Sequence, residues 1–202
     1  MENRISSQEQ RPPDQDWQKS AWAVIDECRE RLWSEAGRKA RRFLTNKGIS
    51  EATLKQTHYG FCPDDGEYNG LYVDRGITIP YFVGQDVWRV NVRTDGRQKP
   101  KYRALEGSRW APYGLHSPNG KRECVIAPSE FSALLLWQEL GDSVGVVSGG
   151  PVLPRKLDDR WMPALLAVDR FWIVIGAGKD SNASARRWLP WVGDRGVAIK
   201  LP

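Results

Sequence analysis

The stretch IVIGAGKDSNASARRW, residues 173–188, decides how the second half of this chain is read. Three β-branched residues run into a glycine-flanked turn, and the segment after it has the alanine and arginine content of a helix. Strand, glycine turn and helix in that order suit either a phosphate-binding loop or a catalytic turn. GAGKDS offers G-x-G, but Ser181 stands where a third glycine would be. A dinucleotide fold would also place the turn on its first strand, with an acid at the end of the next, about 20 residues on. Here the next apolar run, GVAIKLP at 196–202, carries no acid at its end, and no G-x-x-x-x-G-K-[ST] occurs anywhere. The sequence therefore argues against a dinucleotide-binding turn, and a Walker loop is absent.

Working outward, residues 121–202 alternate short apolar runs with helical segments. ECVIA (123–127), SVGVVSGG (143–150), FWIVIG (171–176) and GVAIKLP read as strands, and SEFSALLLWQELG (129–141), PRKLDDRWMPALLA (154–167) and SNASARRWLPWVG (181–193) as helices. Continuous apolar runs of that length between helices predict an α/β fold, a mostly parallel sheet with helices on both faces. Before it, 17–120 reads as a mixed α+β module. Trp22, Ile25, Leu32 and Trp33 share a helical face; a second helix is expected over Glu35–Asn46, stopped at Gly48; Ser50 caps a short third helix through Gln56. GITIPYFV (76–83) and DVWRVNVRT (86–94) alternate around Gly84–Gln85 as a hairpin. Residues 1–16, polar and carrying Pro12 and Pro13, are expected to be a disordered tail.

The loop DGRQKPKYRALEGSRWAPYGL (95–115) interleaves Arg97, Lys99, Lys101, Arg103 and Arg109 with Tyr102, Trp110 and Tyr113. Cations that track phosphates among rings that stack on bases are what single-stranded nucleic acid requires, although a solvated loop with inward-folded aromatics gives the same pattern. Thirty Lys+Arg against 25 Asp+Glu give +5, a mild excess compatible with an anionic partner. Ten tryptophans suit core and subunit contacts. Cys28, Cys62 and Cys124 are scattered and odd in number, which excludes a CxxC zinc pair and a secreted disulfide framework. No long apolar run or signal-peptide core is present, so a cytoplasmic protein without membrane contact is expected. His58 and His116 lack a partner acid at a motif spacing and are expected to be structural; no nucleophile motif of the S-x-x-K or G-x-S-x-G kind occurs.

In their order these segments resemble the catalytic core of bacterial DnaG-type DNA primases, including its Toprim domain. RKARRFLTNKGISEATLKQTHYGFCP (38–63) is similar to that family's helical entry segment, and GITIPYFVGQDVWRVNVRTDGRQKPKYRAL (76–105) to its "PKYlN" block. PYGL resembles the "lyGl" leading into Toprim, APSEFSALLL the strand followed by "EGefDal", VGVVSGG the "avaslGt" strand, and IVIGAGKDSNASARRW the "vvlafDnDeAGr.Aarrw" turn. The likeness spans about residues 20–202 and implies a Toprim-like sheet preceded by a primase-like N-terminal module.

The departures bear on chemistry. Toprim catalysis needs a glutamate after the first strand and D-x-D after a later one, because clustered carboxylates hold Mg²⁺ against phosphates. Pro128 stands where the resemblance puts the glutamate, Gly176 and Gly178 where it puts the aspartates, and Lys179 follows. The family's zinc-binding domain has no counterpart. The resemblance thus implies a fold kept without its metal site, with no catalytic residue, metal or cofactor expected, acting as a binding module in replication, mobile-element or defence processes. Single-stranded DNA or RNA and a protein partner are the expected partners, with Arg93, Lys99, Lys101, Tyr102, Lys179, Arg186 and Arg187 on nucleic acid. Two alternatives stay open: an active Toprim primase or nuclease using the displaced acids Glu130 and Asp180, and an assembly subunit that touches no nucleic acid.

Overall fold

The computed structural model describes residues 11–95, 100–151, 158–175 and 179–200, with the side chains of 179–185 outside the description. The chain divides into two compact units, Met1–Ala111 and Pro112–Pro202.

The first unit opens with α1 (Gln15–Trp33), capped where the Asp14 carboxylate accepts from the Trp17 amide at 2.9 Å. The tail expected through residue 16 therefore ends sooner. Residues 1–10 lie outside the described residues, but Arg11 and Pro12 are held by their carbonyls, which accept from Arg109 Nη1 at 2.7 and 3.1 Å. α2 (Arg38–Thr45) and α3 (Glu51–Gln56) follow, the latter capped as expected by Ser50 Oγ, which accepts from the Thr53 amide.

Next come β1 (Gly60–Cys62), β2 (Gly66–Tyr68), β3 (Leu71–Val73), β4 (Gly76–Val83), β5 (Asp86–Thr94) and β6 (Tyr102–Ala104). β4 and β5 form the expected hairpin, with Gly84 at φ +62°, which a two-residue hairpin turn favours. β6 corrects the expectation of an unbroken loop from 95 to 115. The antiparallel order is β1-β4-β5-β6, with β2 and β3 paired separately. One face of this sheet meets α1: Val87, Val90 and Val92 pack with Ala21, Val24, Ile25, Cys28 and Cys62 in a buried cluster. Each such aliphatic contributes roughly 1.5–3 kcal/mol when fully buried.

The second unit begins at Pro112, ahead of the composition change near residue 120, and Tyr113 exchanges both backbone hydrogen bonds with Ser148, at 2.7 and 3.0 Å. Its elements are β7 (Glu123–Ala127), α4 (Glu130–Leu140), β8 (Gly145–Ser148), a 3-10 helix over Asp159–Leu165, β9 (Arg170–Ile175), α5 (Lys179–Val192) and β10 (Gly196–Lys200). Pro163 falls inside the 3-10 segment, where an α-helix was expected; it has no N–H to give and its ring crowds the preceding turn. All three ladders are parallel, in the order β10-β9-β7-β8. From the centre, β7 steps through α4 to β8 in one direction and β9 steps through α5 to β10 in the other. Right-handed crossovers therefore place α4 and α5 on opposite faces. α4 covers Ala127 and Val146, and Val192 and Leu189 of α5 lie closest to Gly196.

Candidate nucleic-acid interface

Each unit presents one candidate surface. In the first, strand alternation separates Val90, Val92 and Thr94 from Arg89, Asn91 and Arg93, which take the face away from α1. The ladder register then sets neighbours. Arg93 pairs with Tyr102 and Asn91 with Ala104 on β6, while Ile77, Ile79 and Tyr81 on β4 lie opposite Arg93, Asn91 and Arg89. The Arg93 guanidinium carbon sits 4.3 Å from the Phe43 ring centroid, within cation–π range. Tyr102, Arg93 and Phe43 thus form a row from β6 across β5 to α2, cation between rings.

Beneath this row runs a buried polar chain. Asn91 is 1% exposed; its amide donates to the Tyr81 hydroxyl at 2.9 Å, and its carbonyl oxygen accepts from Arg89 Nε at 2.6 Å. A buried amide satisfied in this way costs little and fixes the two side chains that bond to it. Of the other cations named from the sequence, Lys101 is exposed beside Tyr102, and Lys99 lies outside the described residues. Arg103 and Arg109 have structural tasks. Arg103 Nη1 lies 2.9 Å from the carboxylate of the nearly buried Asp74, and Arg109 holds the chain before α1.

In the second unit the two crossovers leave the middle of the sheet in opposite directions, so the topological switch point lies between β7 and β9. Ligands of open α/β sheets bind at the carboxyl ends of the strands at that point. β7 ends there at Ala127, and Pro128 follows, joining the strand to Ser129, the N-cap of α4, whose Oγ accepts from the Ser132 amide at 3.3 Å. β9 ends alongside at Ile175. Gly176 and Gly178, expected at the same edge, lie outside the described residues, as do the side chains of Lys179 and Asp180 at the start of α5. Arg186 and Arg187 are exposed, about two turns along α5.

Glu130 begins α4 and is 0% exposed, a placement the sequence did not reveal, since an acid in a first helical turn is ordinarily solvated beside the helix N-terminus. Among the described residues, no group of three or more His, Cys, Asp or Glu side chains could hold a metal ion. Nor, among them, is any helix long and apolar enough to cross a membrane. His58 sits between the rings of Trp22 and Phe82, at centroid distances of 5.5 and 5.1 Å, and its Nδ1 is buried with no hydrogen-bond partner among the described residues. Desolvation, followed by the nearby Arg29 cation, lowers its pKa, with Asp26 opposing. A ring so placed is part of the packing.

No protein-family model and no curated protein sequence matches this chain. Solved structures do. A DNA primase domain from Pseudomonas aeruginosa superposes with TM-score 0.72 at 17% identity, over 92% of this chain and 71% of that one. A DnaG primase catalytic domain bound to ssDNA gives 0.70 at 14% identity, over 98% and 75%. The RNA polymerase domain of Mycobacterium tuberculosis primase DnaG, in complex with a double-stranded DNA oligomer with a 6-nucleotide overhang, gives 0.71 at 12%, over 96% and 74%. At these identities what is shared is the fold: this chain has the fold of DnaG-type primase catalytic cores.

Proposed function

We propose that this chain is a catalytically degenerate, DNA-primase-like protein that binds single-stranded nucleic acid, in replication or in a mobile-element or defence process, and works with a protein partner. The observation that carries the reading is the pairing of Arg93 with Tyr102 across β5 and β6. It sets a cation and a ring side by side, the combination that serves phosphate and base at once. Two of the structures with the same fold hold DNA, which supports the reading. By the resemblance, Pro128 in place of a glutamate, Gly176 and Gly178 in place of aspartates and Lys179 after them make the corresponding sequence about four charge units more positive than that of a Toprim site. Phosphates are then attracted there without Mg²⁺, with Lys179, Arg186 and Arg187 adding to the potential. Lys101, exposed beside Tyr102, and Lys99, two residues earlier in the sequence, add to this positive charge.

The test is fluorescence anisotropy of a labelled single-stranded oligonucleotide across a salt series. Lys101→Ala should weaken binding and flatten the log–log salt slope by about 0.7, the share of one phosphate on a single strand. Tyr102→Ala should weaken it with the slope unchanged, because stacking releases no counterions. No binding by the wild type at low salt would move the chain to the role of an assembly subunit.

The burial of Glu130 beside the switch point favours one rival, an enzyme that uses Glu130 and Asp180 as displaced ligands. Calorimetry separates the two readings. The degenerate protein takes up no divalent cation tightly, whereas tight Mg²⁺ or Mn²⁺ binding lost in both Glu130→Gln and Asp180→Asn establishes the enzyme.

A further inference from the structure

Away from both candidate surfaces, the first unit buries two thiols against each other. Cys28 on α1 and Cys62 at the end of β1 are each 0% exposed and belong to one core cluster. The helix packs on the strand closely enough that only glycine fits at position 60. A Cβ added to Gly60 would stand 2.6 Å from the Cys28 Cβ, and Gly60 and Cys62, two residues apart on one strand, face the same way. A side-chain hydrogen bond links the two thiols.

Polar groups converge on the Cys62 side of the pair. Its thiol donates to the Asp64 carbonyl at 3.1 Å. The Tyr68 phenol, whose oxygen lies 3.4 Å from Arg31 Nη1, also reaches Cys62, and Arg31 is paired with Glu27 at 2.5 Å. Hydrogen bonding from Cys28, and then from Tyr68, lowers the Cys62 pKa to about 7 against the opposing effect of burial. Its partnership with Cys62 and its own burial raise that of Cys28. One sulfur is therefore suited to be the nucleophile and the other to remain a thiol until it is called on. Cys124, in the second unit, has no such neighbour among the described residues, and burial raises its pKa.

We propose that Cys28 and Cys62 are an oxidation site, which hydrogen peroxide converts to an intramolecular disulfide joining α1 to β1. In the first step the Cys62 thiolate attacks a peroxide oxygen. The S–O bond forms, the O–O bond breaks, and the departing hydroxide takes the proton that Cys62 released and leaves as water. In the second, Cys28 attacks the sulfenic sulfur; the S–S bond forms, the S–O bond breaks, and hydroxide leaves as water with the Cys28 proton. Two thiols lose two electrons, and one peroxide becomes two waters. Access comes from the edge: β1 is three residues long, lies at the margin of its sheet and runs straight into the Pro63–Asp65 turn, so local opening exposes Cys62 first. The closed loop carries α2 and α3, and with them Phe43, the ring against which Arg93 rests.

The experiment treats the whole folded chain with a modest excess of hydrogen peroxide, quenches with an alkylating agent under denaturing conditions, and counts thiols and maps peptides by mass. The expected result is a fall from three titratable thiols to one, with Cys124 alkylated and a peptide pair joined through Cys28 and Cys62, reversed by dithiothreitol. Cys28→Ser should halt the reaction at a Cys62 sulfenic acid that a dimedone probe captures. Mapping on the unaltered chain carries the test if that variant fails to fold. Three free thiols after treatment, a disulfide through Cys124 or between chains, or a Cys62 sulfenic acid that persists while Cys28 is present would each overturn the proposal.

Discussion

The antiparallel sheet of the first unit and the parallel sheet of the second hold their candidate site residues in opposite ways. In the first, Arg93 and Tyr102 lie within the ladder, and the same strands that bury Val90 and Val92 toward α1 hold them in register. In the second, Pro128 lies at the strand-to-helix corner between β7 and α4, outside any ladder. A residue inside a ladder is tied to the packing of its strand, whereas a corner residue is free to change while Val125, Ile126 and Val146 keep the sheet intact. That contrast explains how a catalytic-core fold persists with proline at a position where the resemblance expects a metal ligand.

The contrast breaks most visibly at Gly60. A valine there would put a Cβ 2.6 Å from the Cys28 backbone carbon and the Thr78 Oγ1, so α1 or β4 must move. Gly60→Val should cost about 3 kcal/mol or leave the first unit unfolded. Pro128→Glu, at the corner, should shift stability by less than about 1 kcal/mol. Urea denaturation followed by circular dichroism measures both, and equal costs would remove the distinction.

A smaller effect sharpens it. Asn91→Leu deletes the hydrogen bonds to Tyr81 and Arg89 in a position 1% exposed, and should cost about 1–3 kcal/mol. Because Asn91 and Arg93 are neighbours on one face, the same variant should weaken oligonucleotide binding several-fold in the anisotropy assay. Lost stability with binding intact would show that the polar chain does not position Arg93.

The smallest effect is one of pH. His58 has its folded-state pKa below the unfolded value, so the unfolded chain takes up a proton first as pH falls. The stability held above about pH 6.5 should decline from there until the folded-state pKa is passed. His58→Gln should flatten that decline in urea midpoints taken between pH 7.5 and 5; an unchanged slope would place the acid sensitivity elsewhere.

Much of this architecture was legible because it is written in periods. Unbroken apolar runs such as ECVIA and FWIVIG gave the parallel strands, and alternation around Gly84–Gln85 gave the hairpin. The Arg93–Tyr102 pair came into view through the ordered likeness to primases, and the register supplied its geometry. Strands of three residues, as in β1, β2 and β6, are too short to show a period. The burial of Glu130 depends on how the chain folds over the N-terminus of α4, and the ties of Arg103 and Arg109 depend on partners 29 and 98 residues away. None of these leaves a local mark.

The clasp at the start of α1 has a consequence for synthesis. The Gln18 side chain accepts from the Val87 amide and donates to its carbonyl, 69 residues on; the Trp17 indole donates to the Glu106 carbonyl, 89 residues on; and Arg109 reaches back 98 residues to Arg11. The opening helix of the first unit therefore cannot be docked on the ribosome until its closing loop has left the exit tunnel. At about 5–20 residues per second, α1 waits several seconds with Ala21, Val24 and Ile25 unpaired. That interval is when this chain is most exposed to chaperones and to its own neighbours on a polysome.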